Sequence, residues 1–376
     1  MVYREFKGKK LSMLGMGTMR LPVLDETGAV IDEKLTAQMV KYAFDRGINY
    51  FDTAWGYHMG KSEPVMGKIL SEYPRGSYYL ATKFPGYDLS NMNKVEEIFA
   101  AQQVRLKTDY FDFYLIHNVC DLNINQYLDP KYRIHEYLNK QKKEGKIRHL
   151  GFSIHGDINV MKRFLEEYGP DMEFCQIQLN WLDYSFQDAR AKVELLDKLD
   201  IPVWVMEPLR GGKLISFSDE EKAELFKLRP EASPVEWAFR YLQSFKNVKV
   251  ILSGMSTPEQ LADNISIFET EKPLDGTETA ALYTIADRRL KKVSLPCTAC
   301  RYCTEHCPQG LDIPKLINLY NEHCYTGGGF IAPMALGAIP PEKQPSACIG
   351  CRSCEAVCPQ TIKISEAMAD FAAKLK

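Results

Sequence analysis

The sequence predicts an α/β protein: a (β/α)8 TIM barrel followed by a small, mainly helical C-terminal domain. Three observations lead there. Up to about residue 270, eight short β-rich runs alternate with longer amphipathic stretches. That alternation then stops. Beyond it the pattern C-x2-C-x2-C-x3-C-P occurs twice, as "CTACRYCTEHCP" from 297 and "CIGCRSCEAVCP" from 348. The division that follows is 1–274 for the barrel and 275–376 for the second domain.

The candidate strands, in order, are 11–18, 48–53, 78–84, 111–117, 147–155, 174–180, 201–207 and 248–254. Helical patterns separate them. "EKLTAQMVKYAFDRG" has apolar residues at helical spacing and ends on Gly47, as a C-cap should. "PDMEFCQ" and "LDIPVWV" place turn residues directly before a strand. Eight strand–helix units over about 250 residues fit a barrel. A doubly wound open sheet would want G-x-G-x-x-G after its first strand, and "LGMGTM" lacks the third glycine. Past "ETEKPLDGTETAAL", which reads as linker and helix start, "LDIPKLINLYNEH" and "KISEAMADFAAKLK" carry helical patterns.

Composition narrows the class. The chain has 376 residues, 45% of them hydrophobic and 26% charged, which is ordinary for a globular protein. A net charge of −2 gives no footprint for nucleic acid or anionic membrane. "MVYREFKGKK" carries charges where a signal peptide needs an apolar core, and "GGGFIAPMALGAIPP" is too short and Pro-broken to span a bilayer. The expectation is a cytoplasmic protein with reduced thiols.

Polar residues at the C-terminal ends of barrel strands call for chemistry, since that rim carries the active site in this architecture. The second strand ends "YFDTAWGY", with Asp52 at its tip and Tyr57 in the loop. The third ends on Lys83 and the fourth on His117. One acid, one phenol, one amine and one imidazole thus meet on one rim. An ammonium beside a phenol favours phenolate and should lower the Tyr57 pKa, while a carboxylate keeps Lys83 charged. Tyr57 can then protonate a carbonyl oxygen while His117 hydrogen-bonds it.

With those residues in view, "FDTAWGYHMGKSEPVMGKIL", "ATKF" and "YLIHN" resemble the catalytic segments of the aldo-keto reductases, over about residues 5–270. The resemblance implies NAD(P)H-dependent carbonyl reduction with Asp52, Tyr57, Lys83 and His117 as tetrad. It implies Ser153 and Gln176 as holders of the nicotinamide carboxamide, with Met206 where an aromatic usually stacks on the ring. It further implies Leu209, Gly211, Gly254, Gln260 and Asn264 in the loops for cofactor phosphate and adenine. The chain departs from the family at Ile154, often Asn, and at Gly254 and Gln260, where many members carry Lys and Arg for the 2′-phosphate of NADP. Arg210 or Lys213 is the expected substitute charge. Trp55 and Trp181 read as shaping a substrate pocket or as core or lid packing, Cys120 as packing near that pocket, and His58 as near enough to touch substrate; His135 and His149 read as surface residues.

Eight of the eleven cysteines fall in the two repeats. Zinc sites pair two C-x2-4-C knuckles, whereas this spacing and its trailing Pro fit [4Fe–4S] clusters of the ferredoxin type, in which the fourth cysteine of each run serves the other cluster. The predicted ligand sets are Cys297, Cys300, Cys303 and Cys358, and Cys348, Cys351, Cys354 and Cys307. Clusters also cement a small domain that lacks a large core.

The function expected from the sequence is an iron–sulfur oxidoreductase acting on a small carbonyl or alcohol. Its two clusters exchange electrons with the site or with a ferredoxin-like partner. A hydride carrier moves two electrons and a cluster one, so FMN stands beside NAD(P)H as a candidate cofactor. The alternative is a non-enzymatic redox sensor or electron carrier that binds a dinucleotide in its barrel.

Overall fold

Ten strands organise the first part of the chain: β1 (Tyr3–Phe6), β2 (Lys9–Ser12), β3 (Leu14–Gly17), β4 (Tyr50–Asp52), β5 (Tyr79–Phe84), β6 (Phe111–Val119), β7 (Ile147–Ile154), β8 (Cys175–Gln178), β9 (Val203–Met206) and β10 (Val248–Gly254). The computed structural model describes residues 1–376 and divides into two units, Met1–Tyr283 and Thr284–Lys376. The boundary read from the sequence, 274/275, falls just before a helix, Gly276–Val293, that runs across this division. No helix is long and apolar enough to cross a membrane.

Strands β3 to β10 form a closed, all-parallel barrel in chain order, and β10 returns to pair with β3. Each of the eight predicted runs overlaps one barrel strand; seven contain theirs, and β6 runs two residues past the predicted 117. The seam is tight. A Cβ on Gly15 would lie 2.9 Å from side-chain carbons of both Val250 and Leu252, so the interior there has no room for a side chain. The antiparallel hairpin β1–β2 escaped the sequence reading. Its strands are four residues each and charged, and the predicted run 11–18 merged the end of β2 with β3.

That hairpin plugs the N-terminal end of the barrel. Phe6 is buried with Leu11, Tyr50, Phe113, Phe174 and Trp204 in one cluster. Its ring lies 5.1 Å from Trp204, edge-on, and 5.7 Å from Phe113. Aromatic edges packed on faces fill this floor and exclude water from below the site. His149, expected at the surface, is buried there, 5.0 Å from Phe6 between ring centroids. Its Nδ1 lies 2.9 Å from Glu173, which also accepts from Lys142 and from Lys7 at the hairpin turn, both at 2.6 Å. Burial pushes the Glu173 carboxyl up, but its bonds to His149, Lys142 and Lys7 outweigh that and hold it well below the usual range.

The second unit is helical and repeats itself. Arg301 and Arg352 each adopt a left-handed backbone (φ 66° and 61°) before the short helices Tyr302–Glu305 and Ser353–Ala356. Each short helix is followed by Cys-Pro and then a longer helix, Ile313–Thr326 or Ile364–Lys374. Leu316, Ile317, Leu336, Met368 and Phe371 make its core, and the cysteines pack against them.

If the hairpin is the barrel's floor, Phe6→Ala should leave a void under Trp204 and cost about 3–5 kcal/mol. Urea unfolding followed by tryptophan fluorescence reads this directly; an unchanged midpoint would show that the floor holds without it.

Candidate active site and cysteine pockets

The strand order sets the polar group in place. β4 pairs with β5 so that Asp52 lies opposite Ala81, two residues before Lys83. Lys83 is fully buried; its Nζ donates to Asp52 Oδ1 at 2.5 Å and to the Thr53 carbonyl at 2.7 Å, and lies 3.5 Å from the Tyr57 hydroxyl. Behind it, Gln102 Nε2 donates to the Lys83 carbonyl at 3.0 Å and to buried Glu63 at 2.7 Å. Glu63 also accepts from Thr82 at 2.7 Å and pairs with Arg105 at 3.3 Å, whose guanidinium covers the Trp55 ring at 3.5 Å. The loop that carries Tyr57 is thereby fastened to two helices. His117 faces Tyr57 edge-on, with 6.4 Å between centroids, and faces Tyr87 at 5.4 Å.

Burial sets the protonation of these groups. At Lys83 burial works against the charge, but Asp52 and Tyr57 overcome it and hold the ammonium above its ordinary pKa. At Tyr57 burial wins: its pKa is raised, with Lys83 opposing and Asp52 adding. The expectation that Lys83 would leave Tyr57 with a lowered pKa is therefore corrected, because the phenol is enclosed more completely than the strand pattern reveals. His117 is pushed well below its usual value by burial, then by Lys83 and His155. At neutral pH the set is an ion pair, a neutral phenol and a neutral imidazole.

A trough of about 380 Å3 opens beside them. Its lining brings Asp52 and Tyr57 together with Gln176, Met206, Leu209, Gly211, Gly254, Gln260 and Asn264. Gln176 Oε1 is buried without a partner, and its Nε2 lies 3.7 Å from the Met206 sulfur. Ser153 pairs with Gln176 in β-register and accepts from the Asn118 amide at 2.8 Å, and it is not part of the lining. Gly211 holds φ at +64°, which favours glycine.

Several residues sit elsewhere than expected. Arg210 is buried, its Nε 3.0 Å from Asp183, which also accepts from Gln178 and Asn180. That charge holds the loop after β9. His58 takes the Leu21 amide on Nε2 at 3.1 Å and has Nδ1 2.7 Å from the Gly28 carbonyl, so it anchors the loop after β3. Trp181 is fully buried against Phe217. Three charged lining residues escaped the sequence reading, Arg20 and Glu207 beyond strand ends and Asp263 on a helix. The signal of the first two was present only as position, each one to three residues beyond a strand end.

In the second unit two pockets each gather four thiols. One is lined by Cys297, Cys300, Cys303 and Cys358, the other by Cys307, Cys348, Cys351 and Cys354. All are free cysteines, and apolar residues such as Ile317, Ile362, Leu311 and Met368 line the walls. No three His, Cys, Asp or Glu side chains close around a point as a single ion requires; four thiols around a cavity suit a cluster. Burial pushes the Cys303 and Cys354 thiols up to about 11, so iron has to displace those protons. Cys300 and Cys351 are exposed, whereas Cys120 and Cys175 are buried far from both runs in sequence.

Comparison with known proteins matches both units. Residues 13–287 match the family model of the aldo/keto reductases, and residues 296–363 match that of a 4Fe-4S dicluster domain. The chain is 24% identical over 302 residues to the NADH-specific methylglyoxal reductase of Escherichia coli K12, covering 68% of this chain and 89% of that protein. It is 27% identical over 282 residues to L-galactose dehydrogenase of Arabidopsis thaliana, covering 69% and 85%. Among solved structures, the holo form of a Bacillus halodurans aldo-keto reductase superposes with a TM-score of 0.61 at 24% identity, over 75% of this chain and 95% of that one. A Klebsiella pneumoniae aldo-keto reductase in complex with NADPH gives 0.61 at 20% identity, over 76% and 96%. These structural likenesses bear on the fold, and the family match covers most of the chain: it belongs to the aldo/keto reductase family, as an oxidoreductase whose barrel is followed by a 4Fe-4S dicluster domain.

Proposed function

We propose that the barrel reduces the carbonyl of a small substrate, or oxidises the matching alcohol, with NADPH or NADH as the hydride carrier. One observation supports this above the rest: a single trough joins Tyr57 to Gly254, Gln260 and Asn264, as a nicotinamide dinucleotide requires. Reduced nicotinamide, when bound, supplies the hydride. The chain's own residues do the remainder. Gln176, with its unpaired buried Oε1, holds the carboxamide end, and Ser153, its register partner outside the lining, backs it. Leu209, Gly211, Gly254, Gln260 and Asn264 take the phosphates and adenine, and Met206 packs on the ring. His117, neutral, donates a ring N–H to the substrate oxygen. Tyr57 gives that oxygen its proton, and Lys83, 3.5 Å away and anchored by Asp52, stabilises the phenolate left behind.

In the second unit Cys297, Cys300, Cys303 and Cys358 hold one [4Fe–4S] cluster, and Cys348, Cys351, Cys354 and Cys307 hold the other. Exposed Cys300 and Cys351 support single-electron exchange with a redox protein. FMN would join one- and two-electron traffic, and cofactor released from anaerobically purified protein, with its iron content, distinguishes it from a dinucleotide. A sensor that binds a dinucleotide without turnover would reduce no aldehyde.

Tyr57→Phe should lower kcat for aldehyde reduction by roughly 10²–10⁴-fold while leaving the unfolding midpoint in place. Asp52→Asn strands a buried ammonium, so it should cost about 3–5 kcal/mol in stability; denaturation curves showing no loss would mean Lys83 is not charged. The crossed ligand sets make a sharper test by iron counting. In a Cys307→Ser background, adding Cys348→Ser should release no further iron, whereas adding Cys297→Ser should release the rest. The reverse order would mean that each run binds its own cluster.

A further inference from the structure

We propose that Arg20 and Glu207 form a charge switch in the trough, so that a dinucleotide binds together with one proton taken up by Glu207. The inference rests on the dinucleotide reading of that trough.

Both residues line it, one beyond β3 and the other beyond β9; neither side chain is held in an ion pair, and the Glu207 carboxyl accepts one backbone bond, from Gly211. The stem of Arg20 lies along Gly254: a Cβ there would meet it at 3.1 Å. Its guanidinium reaches the opposite loop, where a Cβ on Gly211 would lie 3.1 Å from Nη2. Arg20 thus fills the space that a longer side chain at 254 would use, and spans the trough between its two walls. A cation in that place is aimed at an anion lying lengthwise in the trough.

Glu207 is half-buried and follows β9 with a left-handed backbone (φ 54°). The Asn180 side chain donates to its carbonyl at 3.0 Å, and Asn180 in turn belongs to the buried Asp183–Arg210 group. A strained backbone held this firmly fixes where the carboxyl projects. The charges that act on it are Arg20 and Arg210, which favour its ionised form, and Asp183, which opposes it; Tyr57 feels its charge in turn. Burial already raises its pKa, and Arg20 is the first charge that offsets this.

An anionic pyrophosphate entering the trough draws on the same guanidinium. Glu207 then faces a negative ligand with its main counter-charge shared, and its pKa rises again. No bond forms or breaks; the proton comes from solvent. The sign follows by linkage. Affinity rises as pH falls through the bound-state pKa of Glu207 and levels off below the free-state pKa, by up to about tenfold per pH unit between them.

Isothermal titration calorimetry of NADH and NADPH on the full, cluster-loaded protein tests this, run in two buffers of different ionisation enthalpy from pH 5.5 to 8.5 (chosen to span about the range above an ordinary carboxylate). The wild type should take up as much as one proton more than Glu207→Gln, which should bind more tightly at high pH, with a flatter pH dependence. Glu207→Asp, which keeps the acid, should retain uptake, and Arg20→Gln should weaken binding and shrink it. Equal proton counts in wild type and Glu207→Gln would overturn the switch while leaving the dinucleotide site standing. Absence of binding to either dinucleotide at every pH would overturn both.

Discussion

The constraint from which the rest of this barrel follows is a lysine ammonium with no access to water. Lys83 sits inside the barrel with its Nζ on Asp52 and the Thr53 carbonyl. An isolated charge in such a place would neutralise, so the chain must bring a carboxylate to it and keep both in place. Parallel pairing of β4 with β5 does so by register alone. The aromatic floor around Phe6 and Trp204 closes the barrel below, and the Glu63–Gln102–Arg105 group fixes the loop and strand above. What emerges is a fixed positive charge beside a phenol that is still protonated. A proton donor needs both features, since the phenol must hold its proton until the oxygen demands it and must be stable once the proton has gone.

The second unit solves a different problem. Its helices are short around each cysteine run, and its apolar core is small. Six of the eight thiols pack in or against that core, and two of them, Cys303 and Cys354, are among its buried residues. Protonated thiols pack poorly as a substitute for four covalent anchors. With each pocket drawing its fourth cysteine from the other run, a bound cluster ties together segments far apart in sequence, which restricts the unfolded chain more than two local loops would.

Much of this was legible in the sequence, for reasons that are physical. Eight apolar runs separated by helical periodicity admit few architectures, and each run fell on its strand. Asp52, Tyr57, Lys83 and His117 stood out because polar residues at the ends of apolar strands are costly without a use. The cysteine spacing is specific enough to name which thiols meet. Burial was what the sequence hid. His149 reads as a surface residue because "KIRHLG" is polar around it, yet it lies in the floor against Phe6. Tyr57 was expected to be acidified by Lys83, and the enclosure outweighs the charge. Arg210 looked like a free cation, but Asp183, distant in sequence, claims it. The hairpin β1–β2 carries charges on short strands and leaves no periodicity to detect.

Arg20 and Glu207 were hidden for a related reason: a charge one residue past a strand reads as solvated unless the opposite wall is known. Their placement bears on the departure at Gly254. A side chain at 254 would press on the stem of Arg20, which would have to give way, so glycine there and arginine at 20 share one packing site. A positive charge at Arg20 in place of one at 254 favours, on the dinucleotide reading proposed above, a feature that NADP and NAD share. On that argument the chain should discriminate weakly between the two. The acid at 207, on the switch proposed above, sets how binding responds to pH, because burial opposes its charge and Arg20 is the first charge that offsets this.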